Sequence, residues 1–319
     1  MASGYGMAGH LALNFQDAYG ASQVTSLQTV PIVNESLQHT IEPLTQSNMY
    51  GRFGESPYCE GPHAVDGGIS IECEPSAMGH FLKSVMGTVS TTSDTNDQTH
   101  VFVPSIPSSE FSDRAATQPL TFEVYRDVGS AHVYYDCIGN DLSINIANGQ
   151  LLTMETNIVG AGFSRKASST PVFPTGKPFL WDQFSGSYNG AAIVDLQDLT
   201  VTINNNVEAV HTLTGSKSPY RIKRTAQQMV EISGTFIFAS HSYQQAFEAQ
   251  AENSMVFNFT NAISPHSFKM DFSKVRFKTF EANMAGTELV TATFNAGAMF
   301  DTSSDRACTF TLVNTHTYY

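Results

Sequence analysis

Two stretches decide the reading: Gly68-Ile-Ser-Ile71, leading through polar residues into Ala77-Met-Gly-His-Phe81-Leu-Lys-Ser-Val85, and Gly234-Thr-Phe-Ile237, leading into Tyr243-Gln-Gln-Ala-Phe247-Glu-Ala-Gln-Ala251. A constant offset of 166 matches Gly68 to Gly234, Ile71 to Ile237 and Phe81 to Phe247. Each stretch reads as a strand running into a short helix. Ala77, Phe81, Leu82 and Val85 fall on one helical face, as do Tyr243, Ala246, Phe247 and Ala251. Ser76 and Ser242 stand where N-caps are expected.

A second pair follows. Leu151-Leu-Thr-Met-Glu-Thr-Asn-Ile158 aligns with Leu289-Val-Thr-Ala-Thr-Phe-Asn-Ala296 at an offset of 138. Gly160-Ala-Gly-Phe163 matches Gly297-Ala-Met-Phe300 only with one residue dropped, which suggests a β-bulge at 159–160. The shorter offset assigns extra residues to the first copy. They fit the Ser/Thr/Asp/Pro-rich stretch 87–118, expected to be a long loop. A chain that repeats itself is read as repeated structural units.

Most of the remainder reads as strand and turn. Leu120–Tyr125, Ala131–Cys137 and Leu142–Ile146 are β-rich runs, punctuated by Gly139-Asn-Asp141 and by the hairpin dipeptide Asn148-Gly149. Leu199–Ile203, Asn204–Asn206 and Val207–Leu213 read as a further hairpin, and four later runs read as strands. The expected fold is mainly β: two tandem β-sandwich or barrel domains, each with one short α-helix, over 1–168 and 169–319. The join falls in the Pro-rich stretch 168–182.

Composition narrows the function. Charged residues make up 14% of the 319-residue chain, against a usual figure near 25%. Much uncharged surface therefore needs covering, which favours subunit contacts. Net charge is −13; residues 1–160 hold 17 acidic and 4 basic side chains, and residues 161–319 hold 12 of each. Such a chain should not grip nucleic acid, whose phosphates need Lys and Arg. The excess serves solubility, or a wall that repels DNA and lets it slide. Cys59, Cys73, Cys137 and Cys308 show no metal spacing and read as free thiols. No leader peptide or membrane-spanning run is expected.

Alternation in the second matched pair separates Leu152, Met154 and Ile158 from Thr153, Glu155 and Asn157. It likewise separates Val290, Ala292, Phe294 and Ala296 from Thr291, Thr293 and Asn295. One face is apolar and the other polar and nearly uncharged: an ordinary solvent face, or a wetted channel wall.

The order Gly20-Ala-Ser, Val30-Pro-Ile-Val33-Asn-Glu-Ser36-Leu37, the strand and helix ending Ser84-Val-Met-Gly87, Leu199-Thr-Val-Thr-Ile203-Asn-Asn-Asn206 and Ile232-Ser-Gly-Thr235 resembles the major tail tube proteins of long-tailed, non-contractile bacteriophages. The resemblance implies β-sandwich units in stacked rings around a DNA-conducting channel, with the 142–159 and 272–300 hairpins as barrel strands. Thr153, Glu155, Asn157, Thr291, Thr293 and Asn295 would then face the lumen. The 87–118 segment would reach a neighbour, its Asp94, Asp97, Glu110 and Asp113 meeting Lys269, Lys274, Arg276 and Lys278 of an adjacent subunit or ring. The partners implied are further copies of the chain, other tail proteins and DNA passing without tight binding. The place implied is the virion tail, assembled in the host cytoplasm. Two copies per chain favour a trimeric, pseudo-sixfold ring over a hexamer. The competing reading is a virion decoration or adhesion module that binds a surface or glycan. No enzyme motif, metal site or cofactor is expected: GxSxG, Walker and HExxH patterns are absent, no GxGxxG follows a strand, and the ten histidines are scattered. Glu72 and Glu74, two apart on one expected strand face, are the nearest approach to a carboxylate pair.

Overall fold

A computed structural model describes residues 4–48, 51, 54, 57–93, 97–105, 115–261, 266–284, 289–317 and 319. Among the described residues the protein is mainly β, with two α-helices. In chain order the first half runs β1 (His10–Phe15), β2 (Gln28–Val30), β3 (Asn34–Glu35), β4 (Gln38–Thr45), β5 (Tyr58–Glu72), α1 (Pro75–Met86), β6 (Gly87–Ser93), β7 (Gln98–Pro104), β8 (Leu120–Tyr125), β9 (Ala131–Ala147), β10 (Thr153–Gly160) and β11 (Gly162–Lys166). The second half runs β12 (Phe184–Tyr188), β13 (Ala191–Ile193), β14 (Leu196–Asn204), β15 (Val207–Val210), β16 (Arg221–Arg224), β17 (Met229–Ile237), α2 (Ser242–Glu248), β18 (Asn253–Thr260), β19 (Ser267–Asn283), β20 (Thr291–Ala298) and β21 (Thr309–Asn314).

Period-two alternation gives most strands one apolar face, and pairing keeps those faces together. The result is one long antiparallel sheet in the order β4–β5–β10–β9–β14–β17–β20–β19. β3 continues β4 along the same edge of β5. Outer strands β2–β1–β8 and β11 join the N-terminal part of β9. In the second half, β13–β12–β18 and β21 join the N-terminal part of β19 in the same way. β9 and β19 thus each pass from an outer layer into the long sheet. The bend in β9 falls at Asp136, which has φ 54° and is held by Gln16 and the Gly20 amide.

The apolar face of the long sheet (Ile144, Val201, Phe236, Phe294) packs with the outer strands (Leu11, Phe122, Phe257, Phe310) and α1 (Phe81, Leu82) in one buried cluster. Burying such a side chain stabilises the fold by about 1.5–3 kcal/mol. α1 is buried almost all round, whereas α2 rests on the core only through half-buried Tyr243, Ala246 and Phe247. The caps differ from expectation. Glu74, not Ser76, caps α1, accepting from the amides of Ser76 and Ala77 at 2.9 and 3.0 Å. α2 begins at Ser242, whose amide donates to Ser240 Oγ.

Several local expectations are corrected. The 87–118 stretch is not all loop: β6 and β7 form a hairpin, and β7 pairs with β21 of the chain's second half. Thr88, Ser90, Thr91, Thr92 and Ser93 of β6 are exposed while His100 and Phe102 of β7 are buried, so polarity disguised a strand as a loop. Gly139-Asn-Asp141 makes no turn. β9 runs straight through it with a bulge that skips Asn140, opposite Asn157 and Ile158 rather than at 159–160. β19 bulges likewise, skipping Lys278. The 199–213 hairpin does not form, because both edges of β14 are occupied by β9 and β17 and β15 pairs with β16 instead. Finally, Met154 faces Ile71 while Ala292 faces Phe236, so the ladders place Phe236, not Ile237, in the position of Ile71. The Asn148-Gly149 turn does connect β9 to β10, with Gly149 at φ 78°.

Candidate functional site

The face of the long sheet opposite the core is built from small polar side chains. Because the strands are in antiparallel register, these residues line up across the sheet. One row runs Glu72, Thr153, Asn145, Thr200, Ser233, Asn295, Thr279. The next runs Ser70, Glu155, Ser143, Thr202, Glu231. Towards the other end, Asp198, Thr235, Thr293 and Glu281 follow one another. All are half-buried or exposed, while their neighbours along each strand are largely buried.

Side chains tie the rows together. Thr200 Oγ1 donates to Asn145 Oδ1 at 2.9 Å, and Thr153 Oγ1 donates to the Asn145 carbonyl at 3.3 Å. Asn157 donates from its amide and its side chain to the Asp141 carboxylate. Lys278 crosses over Gly297 to pair with Glu231; a Cβ at Gly297 would lie 2.8 Å from Lys278 Cε. The carboxylates Glu72, Asp141, Glu155, Asp198, Glu231 and Glu281 give the face an acidic balance. A wet, weakly acidic wall of short side chains binds polyanions poorly.

The six residues singled out from sequence, Thr153, Glu155, Asn157, Thr291, Thr293 and Asn295, all lie on strands of this face, on β10 and β20. Sequence reasoning missed Asp141, Ser143 and Asn145 on β9 and Thr200, Thr202 and Asn204 on β14, although both runs alternate with the same period of two.

The sheet has two open edges among the described residues. β4 pairs on one side only, with β5. β19 pairs with β18 as far as Val275, and beyond that point only with β20.

The remaining candidates fall elsewhere. Asp94, Glu110 and Asp113 lie outside the described residues, and Asp97 sits half-buried just before β7. The basic run does not wait for an acidic neighbour. Lys269 pairs with Asp271, Lys274 with Asp301, Arg276 with Glu252 and Lys278 with Glu231, all within the second half. Glu72 and Glu74 are not a pair: β5 ends at Glu72, and Glu74 turns inward to cap α1. Among the described residues no group of His, Cys, Asp and Glu has the arrangement of a metal site. His80 is buried beside His316 and Lys83, and burial pushes its pKa down to about 3. The four cysteines are free, and burial raises those of Cys73, Cys137 and Cys308, the last to about 12.

No curated protein sequence matches the chain. A family model described as phage tail tube protein matches residues 8–298, a span that takes in the long sheet, both of its edges and every outer strand except β21. The chain therefore belongs to the phage tail tube protein family, structural proteins of the virion tail that assemble with copies of themselves and with other tail proteins.

Proposed function

We propose that this protein forms the tube of a long, non-contractile tail, as stacked rings of three chains whose polar sheet faces line the channel for DNA. The observation that carries the reading is the long sheet, with a polar, weakly acidic face and an open edge at each end. An unpaired edge is a pairing surface, and ring closure removes it.

Residues 1–168 and 169–319 act as two tail-tube units in this reading. Support comes from chain order: β1, β2, β3/β4, β5, α1, β8, β9, β10 and β11 have counterparts in β12, β13, β14, β17, α2, β18, β19, β20 and β21. The hairpin β6–β7 is an addition to the first unit and β15–β16 to the second. Within the chain the two units meet where β9 pairs with β14. Three chains bring six units, giving a pseudo-sixfold ring; six chains with one unit decorating the outside is the competing arrangement. Thr153, Glu155, Asn157, Thr291, Thr293 and Asn295 face the lumen, and DNA passes without tight binding. The rings assemble in the host cytoplasm before joining the virion.

Negative-stain electron microscopy of the concentrated protein tests this. Hollow tubes with a regular axial repeat are expected, and averaged end views distinguish three chains from six. Particles that never polymerise, even with tail-initiation proteins present, would overturn it.

A further inference from the structure

We infer that the β9–β14 pairing inside the chain sets the register of the joint between chains, placing Gln38 opposite Glu281 and Thr40 opposite Thr279 of the next chain. The inference rests on the ring reading and specifies its contact.

The internal joint supplies the geometry. On β14, Thr200, Thr202 and Asn204 face Asn145, Ser143 and Asp141 of β9, and Asn205 N–H donates to the Asn140 carbonyl at 2.8 Å. β9 carries β10 on one side and β14 on the other. β19 carries β20 in the place of β10, bulges at the corresponding point, and among the described residues has nothing in the place of β14. Thr153 faces Asn145 and Thr291 faces Asn283; Asn157 faces Asp141 and Asn295 faces Thr279. Asp141 and Asn145 therefore correspond to Thr279 and Asn283, and the skipped Asn140 to the skipped Lys278.

The other edge follows in the same way. β14 lies on β17 as the β3/β4 edge lies on β5, with Ser36 N–H donating to the Gly68 carbonyl between the two short strands. Matching the ladders places Leu37, a buried residue, at Val201, also buried, and the polar Ser36, Gln38 and Thr40 at Thr200, Thr202 and Asn204. Carrying the β9–β14 register across sets Gln38 against Glu281, His39 against Phe280, Thr40 against Thr279 and Ile41 against Lys278.

Two features bound the joint to that short run. On its N-terminal side the backbone of Leu37 is already engaged: its N–H donates to Glu35, and its carbonyl accepts from Arg126 and Tyr134. Arg126 also grips Glu35 through two bonds of 2.8 and 2.9 Å. On the C-terminal side the ladder slips between Ile41 and Pro43, and a proline offers no N–H. Between them, the alternation of an antiparallel ladder turns the N–H groups of His39 and Ile41 outward, as it does that of Phe280 on β19. Gln38–Glu281 and Thr40–Thr279 are then non-hydrogen-bonded pairs, whose side chains approach most closely and project from the polar face.

Cysteine pairs read the register. In a Cys59→Ser background, Thr40→Cys with Thr279→Cys should give covalent multimers on oxidation of assembled tubes. Gln38→Cys with Thr279→Cys, displaced by two residues, should give at least about tenfold less. Hydrogen exchange on the unmutated protein reads the same joint without substitution: amides of His39, Ile41 and Phe280 should gain protection on assembly. Normal tubes that cross-link through the displaced pair, or leave those amides exchanging as in the monomer, overturn the inference and leave the ring reading standing. Absence of tubes from the unmutated protein overturns both.

Discussion

Gly79 is fixed by what packs over it. A Cβ there would fall 2.1 Å from the Tyr319 ring, which also stacks on His316 and meets His80 and His100 edge-on. Gly79→Ala should destabilise the protein by about 1–3 kcal/mol, and adding Tyr319→Ala should cost less than the sum of the two single changes. Urea unfolding of the two single variants and the double variant checks this. Asp301 makes a different kind of demand. The Ser303 hydroxyl and amide, followed by Lys274, hold its carboxylate down to about 2. Its folded pKa lies below the unfolded value of about 3.9, so its contribution is present above that pH and is lost as pH falls towards 2. Asp301→Asn should lower Tm at neutral pH and narrow the gap from the parent protein between about pH 4 and 2, as thermal scans across that range would show.

Elements were legible where local pattern and tertiary role agree. The strand-to-helix passages into α1 and α2, the alternation in β10 and β20 and the Asn148-Gly149 turn are all visible in the sequence, because each depends on neighbours a few residues away. Gly139-Asn-Asp141 misled because turn-forming residues also make bulges: Asn140 gives its carbonyl to Asn205 and its side chain to the amide of Val207. The β6–β7 hairpin misled because a strand added at the margin of a sheet keeps polar residues outward. Edge identity belongs to this scale. Ile41→Pro on β4 removes an outward donor from a half-exposed position two residues before Pro43. The monomer should keep its stability to within about 1 kcal/mol, since edge strands tolerate proline, while tube yield falls at least about tenfold. Circular dichroism melts and tube pelleting separate the two effects.

For the whole molecule, the proposed channel lining makes charge on the polar face the quantity to test against DNA. Glu155→Lys with Asp198→Lys leaves both edges of the long sheet untouched, so tubes should still form. The channel wall should then retain linear DNA in a salt-sensitive way, with each phosphate contact adding about 0.9 to the slope of log affinity against log salt. Co-sedimentation of DNA with tubes at rising salt measures this; retention unchanged from the parent protein would remove the face from the channel. By itself, the sequence determined the β class, the two strand-to-helix passages and the polar alternation, because these follow from side-chain periodicity along a short stretch of chain. Only the tertiary structure decided that β9 and β14 pair, that the basic residues of β19 find acidic partners in their own half, and that β4 and the end of β19 are left open. Strand pairing and charge pairing are contacts between residues far apart in the chain, chosen by which edges and which carboxylates remain free once the core has closed.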